Sequence, residues 1–254
     1  MDMRGKAAIV TGSATGVGRA TALALAKLGC DVTINYSRSM DEAEQAGAEC
    51  RALGVRALVV KADVGVDADC RALVETTVKA FGRLDVLVNS AGTTSFIPHG
   101  DLDAVTDDDW QRIMNVNLKC PFQCVRAARA ALEAEGGGCV VNVSSIAGIR
   151  AVGSSIPYCA SKAALNNLTI SLARALAPKI RVNAVAPGFI TGRWLAQGLG
   201  PAYDAVKQHQ ERTVPMKRVC DPEDVSAAIL SLVTGSELVT GHVLPVEGGM
   251  LIAT

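Results

Sequence analysis

Aromatic residues are scarce in this 254-residue chain, which holds four Phe, two Trp and three Tyr, 4% of the total. Proteins that bind single strands of nucleic acid stack bases on aromatic side chains, and little of that kind is available here. An excess of charge of one sign is also lacking, because 25 Lys and Arg balance 25 Asp and Glu. Nucleic-acid-binding domains usually carry a basic stripe. We therefore expect no nucleic-acid partner.

Long hydrophobic runs and metal-ligand patterns are missing as well. No apolar run approaches the roughly 18 residues of a membrane span, and the charged start turns apolar only from Ala7 to Val10, which is too short for a secretory signal. The eight cysteines contain no Cys-x-x-Cys, and the three histidines lie near no cysteine pair. We predict a cytoplasmic protein with no membrane span and no metal site, whose cysteines are small buried residues.

Short apolar runs alternating with helical patterns make up most of the chain. Continuous apolar runs predict strands at 7–10, 32–35, 55–60, 84–88, 139–143, 181–185 and 242–246. Capped periodic segments predict helices at 19–28, 41–53, 67–81, 106–133, 158–177 and 222–233. This alternation predicts a single α/β domain over 1–254, a Rossmann fold with a doubly wound, seven-stranded parallel sheet and helices on both faces.

Residues 188–214 are the exception to this regular alternation. The segment is long and mixed in composition, with glycines at 192, 198 and 200. A connection of that length in a compact domain is often a lid or a binding loop. We interpret it as a substrate loop, with an ordinary surface connection as the alternative.

A glycine-rich turn follows the first predicted strand and leads into the first predicted helix. Its sequence is Thr11-Gly12-Ser13-Ala14-Thr15-Gly16-Val17-Gly18. Glycines allow backbone N–H groups to approach a diphosphate closely, and the helix N-terminus adds partial positive charge. The position favours a phosphate-binding turn over a purely structural one.

The Gly-x-x-x-Gly-x-Gly spacing of this turn resembles that of the short-chain dehydrogenase/reductase family. The resemblance covers essentially the whole chain and is strongest to the branch of the 3-oxoacyl-carrier-protein reductases and glucose dehydrogenases. Its further signs are Asp63-Val64, Asn89-Ser90-Ala91-Gly92, Tyr158-Cys159-Ala160-Ser161-Lys162 and Pro187-Gly188. One departure is Ser90, where the family usually has a second Asn.

The resemblance implies a dinucleotide cofactor site. Asp63 and Val64 would flank the adenine, Asn89 and Gly92 would border the ribose, and Ile190 and Thr191 would meet the nicotinamide amide. The full set implied is Gly12, Ser13, Thr15, Gly16, Val17, Gly18, Tyr36, Ser37, Arg38, Asp63, Val64, Asn89, Ala91, Gly92, Tyr158, Lys162, Pro187, Gly188, Ile190 and Thr191.

Cofactor choice depends on the residues that follow the second strand. NAD-preferring members of the family carry an Asp at the position of Tyr36, and no acid stands there. Arg38 is able to pair with a 2′-phosphate, although a solvated loop charge is the alternative. Thr15 argues the other way, because many NADP-dependent relatives have a basic residue in its place. We predict NADP(H) in preference to NAD(H).

Tyr158 and Lys162 are the central pair of the predicted catalytic group. They are four residues apart in a helix that Pro157 opens, so they share one helix face. A nearby ammonium and a helix N-terminus both favour phenolate, and we expect them to lower the pKa of Tyr158. The alternative is a partly buried tyrosine beside a solvated lysine. The resemblance assigns the substrate oxygen to Ser145, whereas Ser144 has the simpler reading of a strand-end hydroxyl.

The family's fourth catalytic residue is an Asn in the long helix, and the match falls on Asn117, with Asn115 as its rival. Pro121 lacks the N–H that would bond to the Asn117 carbonyl in an α-helix. We predict a bend at 117–121 and a free carbonyl that holds a water next to Lys162. A kink needed only for packing is the alternative.

Together these residues predict an NADP(H)-dependent oxidoreductase that transfers a hydride between nicotinamide and a carbonyl or secondary alcohol, with Tyr158 as general acid/base. A non-catalytic dinucleotide sensor or scaffold on the same fold is the alternative, and an epimerase is a third reading. Residues 93–99 and 192–214 hold few charges, which favours a neutral, mostly apolar substrate. Arg193 either binds an acidic group or lies in solvent. The resemblance implies a homotetramer.

Overall fold

The computed structural model describes residues 1–134 and 136–253. These residues form a seven-stranded sheet in the order β3-β2-β1-β4-β5-β6-β7, and every neighbouring pair is parallel. The predicted seven-stranded, doubly wound parallel sheet is confirmed. The strands are β1 Ala7–Val10, β2 Asp31–Tyr36, β3 Ala57–Lys61, β4 Val86–Asn89, β5 Gly138–Val143, β6 Ile180–Pro187 and β7 Val243–Val246.

Helices cover both faces of the sheet. One apolar core lies between the sheet and α1, α2 and α10, and a second lies between the sheet and α3, α5 and α7. The helices are α1 Gly16–Lys27, α2 Met40–Ala52, α3 Asp67–Phe81, α4 Asp107–Met114, α5 Cys120–Ala134, α6 Ala147–Arg150, α7 Ile156–Leu176, α8 Arg193–Leu199, α9 Tyr203–Thr213 and α10 Pro222–Thr234. Buried strands require this covering, because both of their faces are apolar.

Several helix ends follow directly from local sequence. Thr106 caps α4 in a capping box with Asp109, and Asp221 caps α10 in the same way with Asp224. Gly82 ends α3 in the left-handed conformation, with φ of 79°. These ends agree with the prediction because each depends on side chains within one helical turn.

Two predicted elements have a different form in the structure. The single helix expected at 106–133 is divided by a π-helical segment, Asn115–Lys119, in which the Cys120 N–H bonds to the Asn115 carbonyl. The segment overlaps the predicted bend, and Pro121 follows it without an N–H to continue an α-helical ladder. The segment 188–214, interpreted from the sequence as a substrate loop, contains two helices, α8 and α9.

The sheet order places two turns side by side at its carboxyl edge. Val10 pairs with both Ile34 and Val88, so the turn after β1 lies next to the turn after β4. Connections leave β1 and β4 in opposite directions, which opens a crevice between them where open α/β sheets bind ligands.

Candidate active site

The glycine-rich turn begins where β1 ends and continues into α1. Gly12 and Gly16 have φ of +62° and +56°, a region that favours glycine. A Cβ on Gly12 would lie 2.9 Å from Ala91 Cα, and one on Gly18 would lie 2.5 Å from the Gly12 oxygen. The structure starts α1 at Gly16 rather than at the predicted residue 19, so Gly16, Val17 and Gly18 form its first turn. This cradle of unpaired helix N–H groups suits a diphosphate.

Two polar side chains, Thr11 and Asn35, hold this turn in place. Neither was predicted from the sequence to have this role. Thr11 Oγ1 accepts hydrogen bonds from the N–H groups of Ser90 and Ala91, at 3.0 and 3.1 Å. Asn35 Oδ1 accepts from the Gly12 N–H at 3.1 Å, and Asn35 Nδ2 donates to the Ala62 oxygen. A buried Asn inside an apolar strand is the signal that would have found Asn35.

Ser13 and Thr15 lie in the predicted turn but face different surroundings. The Ser13 side chain is buried, donates to the Val10 oxygen and accepts from the Asn35 N–H. Thr15 precedes α1 as its N-cap residue without a side-chain cap bond. The Ser13 hydroxyl therefore has a structural role in this arrangement, and the turn presents mainly backbone groups.

The residues expected to flank the adenosine lie beside this turn. Tyr36 is half-buried against the core, whereas Ser37 and Arg38 are exposed. Asp63 is exposed and accepts from the Gly65 N–H at 2.9 Å, and Val64 is buried. Exposure of Arg38 leaves its guanidinium accessible to a phosphate.

Asn89 provides an independent sign that the crevice accepts a ligand. Its Nδ2 donates to Asn142 Oδ1 at 2.9 Å. Its Oδ1 is buried, and within the described residues this atom has no hydrogen-bond partner. Buried acceptors are usually satisfied, so a hydroxyl such as that of a ribose is a suitable donor for it. The glycine cradle and this acceptor together fit a dinucleotide.

Tyr158 lies in the first turn of α7, next to the end of β5. Ser155 caps the helix, and its Oγ accepts from the Tyr158 N–H at 3.4 Å. Tyr158 is 9% exposed, and the Ser145 side chain is near enough to its hydroxyl to lower the Tyr158 pKa. Ser145 Oγ also accepts from the Ala147 N–H at 3.1 Å. The two hydroxyls that the sequence analysis proposed for the substrate oxygen are therefore adjacent.

Ser144 has different partners. Its hydroxyl is buried and lies within hydrogen-bond distance of Asn166 Oδ1 and the Lys162 carbonyl. These contacts join the end of β5 to α7. The structure thus gives Ser144 a structural role as a strand-end hydroxyl, which was the alternative to a catalytic role.

Lys162 is buried one helical turn after Tyr158. Its Nζ donates to the Val143 oxygen at 2.8 Å and lies 5.6 Å from the centroid of the Tyr158 ring. A Cβ on Gly92 would lie 3.8 Å from Lys162 Nζ and 3.6 Å from Asn117 Oδ1. Gly92, Lys162 and Asn117 therefore converge at one point of the crevice.

Asn117 occupies the π-helical segment and is fully buried. Its Oδ1 accepts from the Thr93 N–H at 2.8 Å, and its Nδ2 donates to the Thr93 oxygen and to Ser161 Oγ, at 2.9 and 3.0 Å. Asn115 instead donates to the Gly65 oxygen at 3.0 Å. Asn117 is the one of the two that contacts the Tyr158–Lys162 helix.

Burial shifts the pKa values of the central pair. It raises the pKa of Tyr158 to about 12, although the hydrogen bond from Ser145 acts in the opposite direction. It lowers the pKa of Lys162 to about 8. The expectation of a lowered Tyr158 pKa was wrong for this arrangement, because desolvation disfavours the phenolate more than its neighbours favour it.

Aromatic side chains join the segment 188–214 to the catalytic group. The Trp194 ring on α8 lies edge-to-face with the Tyr158 ring, with centroids 6.2 Å apart. Phe96 packs against Gly198, where an added Cβ would fall 2.0 Å from Phe96 Cζ. The Phe189 and Tyr203 rings also pack together, with their centroids 5.7 Å apart. We name residues 192–214 the lid.

The strand end that leads into the lid holds the last predicted cofactor residues. Pro187 is buried, and a Cβ on Gly188 would lie 2.9 Å from Glu247 Cβ. Ile190 forms an isolated parallel bridge with Cys220. The Thr191 hydroxyl donates its hydrogen bond to Asp221. Its oxygen can still accept a hydrogen bond from a ligand.

Two further features concern metal ligands and membrane-spanning helices. Within residues 1–134 and 136–253, no group of three or more His, Cys, Asp or Glu is arranged to hold a metal ion. No helix in the same residues is long and apolar enough to cross a membrane. All eight cysteines are buried free thiols, as predicted.

Known proteins resemble this chain along most of its length. A family model described as enoyl-(acyl carrier protein) reductase matches residues 12–251. A Streptomyces violaceoruber protein, provisionally named ketoacyl reductase 2 of the granaticin polyketide synthase, is 44% identical over 242 residues, 95% of this chain and 94% of the relative. A 3-oxoacyl-[acyl-carrier-protein] reductase of Staphylococcus aureus is 34% identical over 247 residues, 96% of this chain and 98% of the relative.

Two solved structures also resemble this chain over nearly its whole length. A provisionally assigned short-chain dehydrogenase/reductase from Burkholderia xenovorans has a TM-score of 0.90 at 40% identity and covers 98% of both chains. The structure of an NAD⁺-bound xylitol dehydrogenase has a TM-score of 0.89 at 29% identity, covering 98% of this chain and 100% of the other.

Proposed function

Because the chain belongs to the short-chain dehydrogenase/reductase family, we propose that it is an NADP(H)-dependent oxidoreductase acting on a carbonyl or secondary alcohol. The whole of 1–254 serves as one cofactor-binding and catalytic domain. The observation that carries the proposal is the convergence of Tyr158, Ser145 and Lys162 at the carboxyl edge of the sheet, with Lys162 Nζ 5.6 Å from the Tyr158 ring centroid. A sensor or scaffold on this fold has no need of that arrangement.

The cofactor, when bound, supplies or accepts the hydride at the carbon of the substrate. Tyr158 holds the proton that balances it: in carbonyl reduction, the Tyr158 hydroxyl gives its proton to the carbonyl oxygen, and in alcohol oxidation it takes one back. Ser145 donates a hydrogen bond to the same oxygen and steadies its developing charge. A hydroxyl both donates and accepts, so one residue serves both directions.

Lys162 and Asn117 support this proton transfer from the side away from solvent. The ammonium of Lys162, close to the Tyr158 ring, favours the phenolate that remains after reduction. Asn117 clamps Thr93 and Ser161, which keeps the π-helical segment against α7. The proposed water at the Asn117 carbonyl would then link Lys162 to solvent and renew the proton.

Burial of Tyr158 affects which direction of the reaction, carbonyl reduction or alcohol oxidation, the site favours. With a pKa of about 12, Tyr158 carries its proton at neutral pH. A protonated tyrosine is the form that carbonyl reduction requires. The arrangement therefore supports reduction as the readier direction near neutrality.

A conservative variant tests the role of Tyr158. Tyr158→Phe removes one hydroxyl, and loss of a positioned acid/base lowers turnover by about 10²- to 10⁴-fold. NADPH binding, measured by fluorescence titration, should be unchanged. Tyr203→Phe removes a tyrosine hydroxyl outside the catalytic group and is the matched control, for which turnover should fall far less than in Tyr158→Phe. Full activity of Tyr158→Phe would refute the assigned role.

The preference for NADP(H) rests on Arg38. Its exposed guanidinium follows β2, with Tyr36 where an acid would hold the ribose hydroxyls of NAD. The test compares kcat/KM for NADPH and NADH in the wild type and in Arg38→Ala. We expect a wild-type preference for NADPH that falls in the variant. An unchanged preference would remove Arg38 from the explanation.

The substrate proposed is a neutral, mostly apolar carbonyl compound. Five of the nine aromatic residues lie at the catalytic tyrosine or the lid, namely Phe96, Tyr158, Phe189, Trp194 and Tyr203. Arg193, the candidate for an acidic substrate group, is instead paired with Glu42. A cofactor-linked screen of ketones, sugars and 3-oxoacyl thioesters identifies the class, and stoichiometric cofactor oxidation excludes an epimerase.

Assembly as a homotetramer in the cytoplasm completes the proposal. Phe122 on α5 and Ile170 on α7 are exposed apolar side chains on the two helices expected at the interfaces. Eight free cysteines suit a reducing compartment. Light scattering coupled to size-exclusion chromatography tests the assembly, and a monomer at micromolar concentration would contradict it.

A further inference from the structure

An ion pair connects the lid to the opposite side of the crevice. Arg193, the first residue of α8, places its Nη1 2.8 Å from Oε1 of Glu42, which lies in the first turn of α2. The Arg193 guanidinium lowers the pKa of Glu42, as expected for a carboxylate held beside a cation. The pair therefore joins two parts of the chain that are far apart in sequence.

The sheet order shows what lies beneath this contact. Glu42 comes shortly after β2 and Arg193 shortly after β6, and β1, β4 and β5 stand between those two strands. Neighbouring strands are about 4.8 Å apart, so the ends of β2 and β6 are separated by roughly 19 Å. The two side chains meet because the lid crosses the carboxyl ends of the intervening strands.

The cofactor residues lie on the part of the edge that is crossed. The glycine-rich turn follows β1, and Asn89 ends β4. Ser37 and Arg38 precede Glu42, and Thr191 precedes Arg193. A dinucleotide extended along these residues would lie between the two walls that the ion pair connects.

With the proposed function as premise, we infer that Arg193 and Glu42 are cofactor-retaining positioning residues, whose ion pair closes the lid across the groove. Their contact must open before a dinucleotide enters or leaves. Neither side chain takes part in proton or hydride transfer. The pair therefore governs the rate of cofactor release and leaves the chemical step unchanged.

The experiment measures NADPH release by stopped-flow displacement from wild type, Glu42→Gln, Arg193→Gln and the double variant. An exposed pair contributes modestly, so each single variant should release NADPH about two- to fivefold faster. The double variant should be no faster than either single one. Exchange of the charges, Glu42→Arg with Arg193→Glu, should restore slow release. Glu133→Gln breaks an ion pair with Arg129 of similar exposure on α5 and is the matched control.

A second measurement needs no cofactor. Amide hydrogen exchange over 193–199 should be faster in Glu42→Gln than in wild type, because the lid has lost its tether. Equal release and exchange rates in all variants would overturn the inference, as would additive effects of the two single variants. If the wild type binds neither NADPH nor NADH, the proposed function fails and this inference fails with it. Normal binding with unchanged release would overturn the inference alone.

Discussion

The protonation state of Tyr158 in the cofactor-free protein offers a sharp test of the site. Burial raises its pKa from 10 to about 12. Two pKa units correspond to about 2.7 kcal/mol of preference for the neutral hydroxyl over the phenolate. At pH 10, where a tyrosine of ordinary pKa is half ionised, Tyr158 should be only about 1% ionised. Its hydroxyl is therefore a poor base and a ready acid until a change in the site alters that balance.

The assay is a spectrophotometric titration of phenolate absorbance in wild type and Tyr158→Phe. Because the chain has three tyrosines, the difference between the two curves isolates one of them. The curves should coincide up to about pH 11 and separate above it, with circular dichroism confirming that both proteins remain folded. In Ser145→Ala the separation should move higher still, because the Ser145 hydrogen bond lowers the Tyr158 pKa. A phenolate difference with a midpoint at or below pH 10 would refute this account of the site.

Three further predictions follow from individual contacts. Lys162→Met should abolish turnover yet raise Tm, because burial lowers the Lys162 pKa by about 2.5 units to about 8 and so opposes its charge at neutral pH; an unchanged or lower Tm would contradict this. Asp85→Ala should lower the free energy of unfolding by about 1–3 kcal/mol in urea titrations, because it leaves the buried Ala7 N–H without its acceptor. Burial raises the pKa of Asp85, but Arg83 and its other donors lower it further, so the stability that Asp85 contributes above pH 3.8 should be lost as the pH falls below that value, and the acid-induced loss of stability should be smaller in the variant than in the wild type. Gly198→Ala should raise KM for substrate with little effect on stability, because its Cβ would displace Phe96; equal KM values would show that this contact does not shape the site.

Most of the regular structure could be predicted because its determinants are local. The helix α3 has the predicted bounds, since acidic residues open it and Gly82 closes it within single turns of chain. The β1 strand, Ala7–Val10, was likewise predicted, because a continuous apolar run is the signature of a strand buried on both faces. The candidate residues Tyr158, Ser145 and Lys162 come together because each lies at or near the carboxyl end of β5 or in the first turns of the helix beside it.

Other features depended on contacts between distant segments. The lid helices α8 and α9 have few apolar side chains in a regular repeat, and they are stabilised through Trp194 and Phe96, whose partners lie elsewhere in the sequence. The choice between Asn115 and Asn117 required knowing which one faces α7. Arg193 looked free to bind substrate until the fold placed Glu42 beside it.

The sequence by itself determined the strand–helix alternation, the caps and the spacing of the glycine-rich turn and of Tyr158 and Lys162, because these depend on neighbours within a few residues. Only the tertiary structure decided the pKa of Tyr158. The ammonium and the helix N-terminus favour its phenolate and are visible in the sequence, but the desolvation that outweighs them comes from side chains that the fold packs around it. The ion pair between Arg193 and Glu42 was likewise decided only by the tertiary structure, because its two charges meet only after the sheet has set the order of its strands.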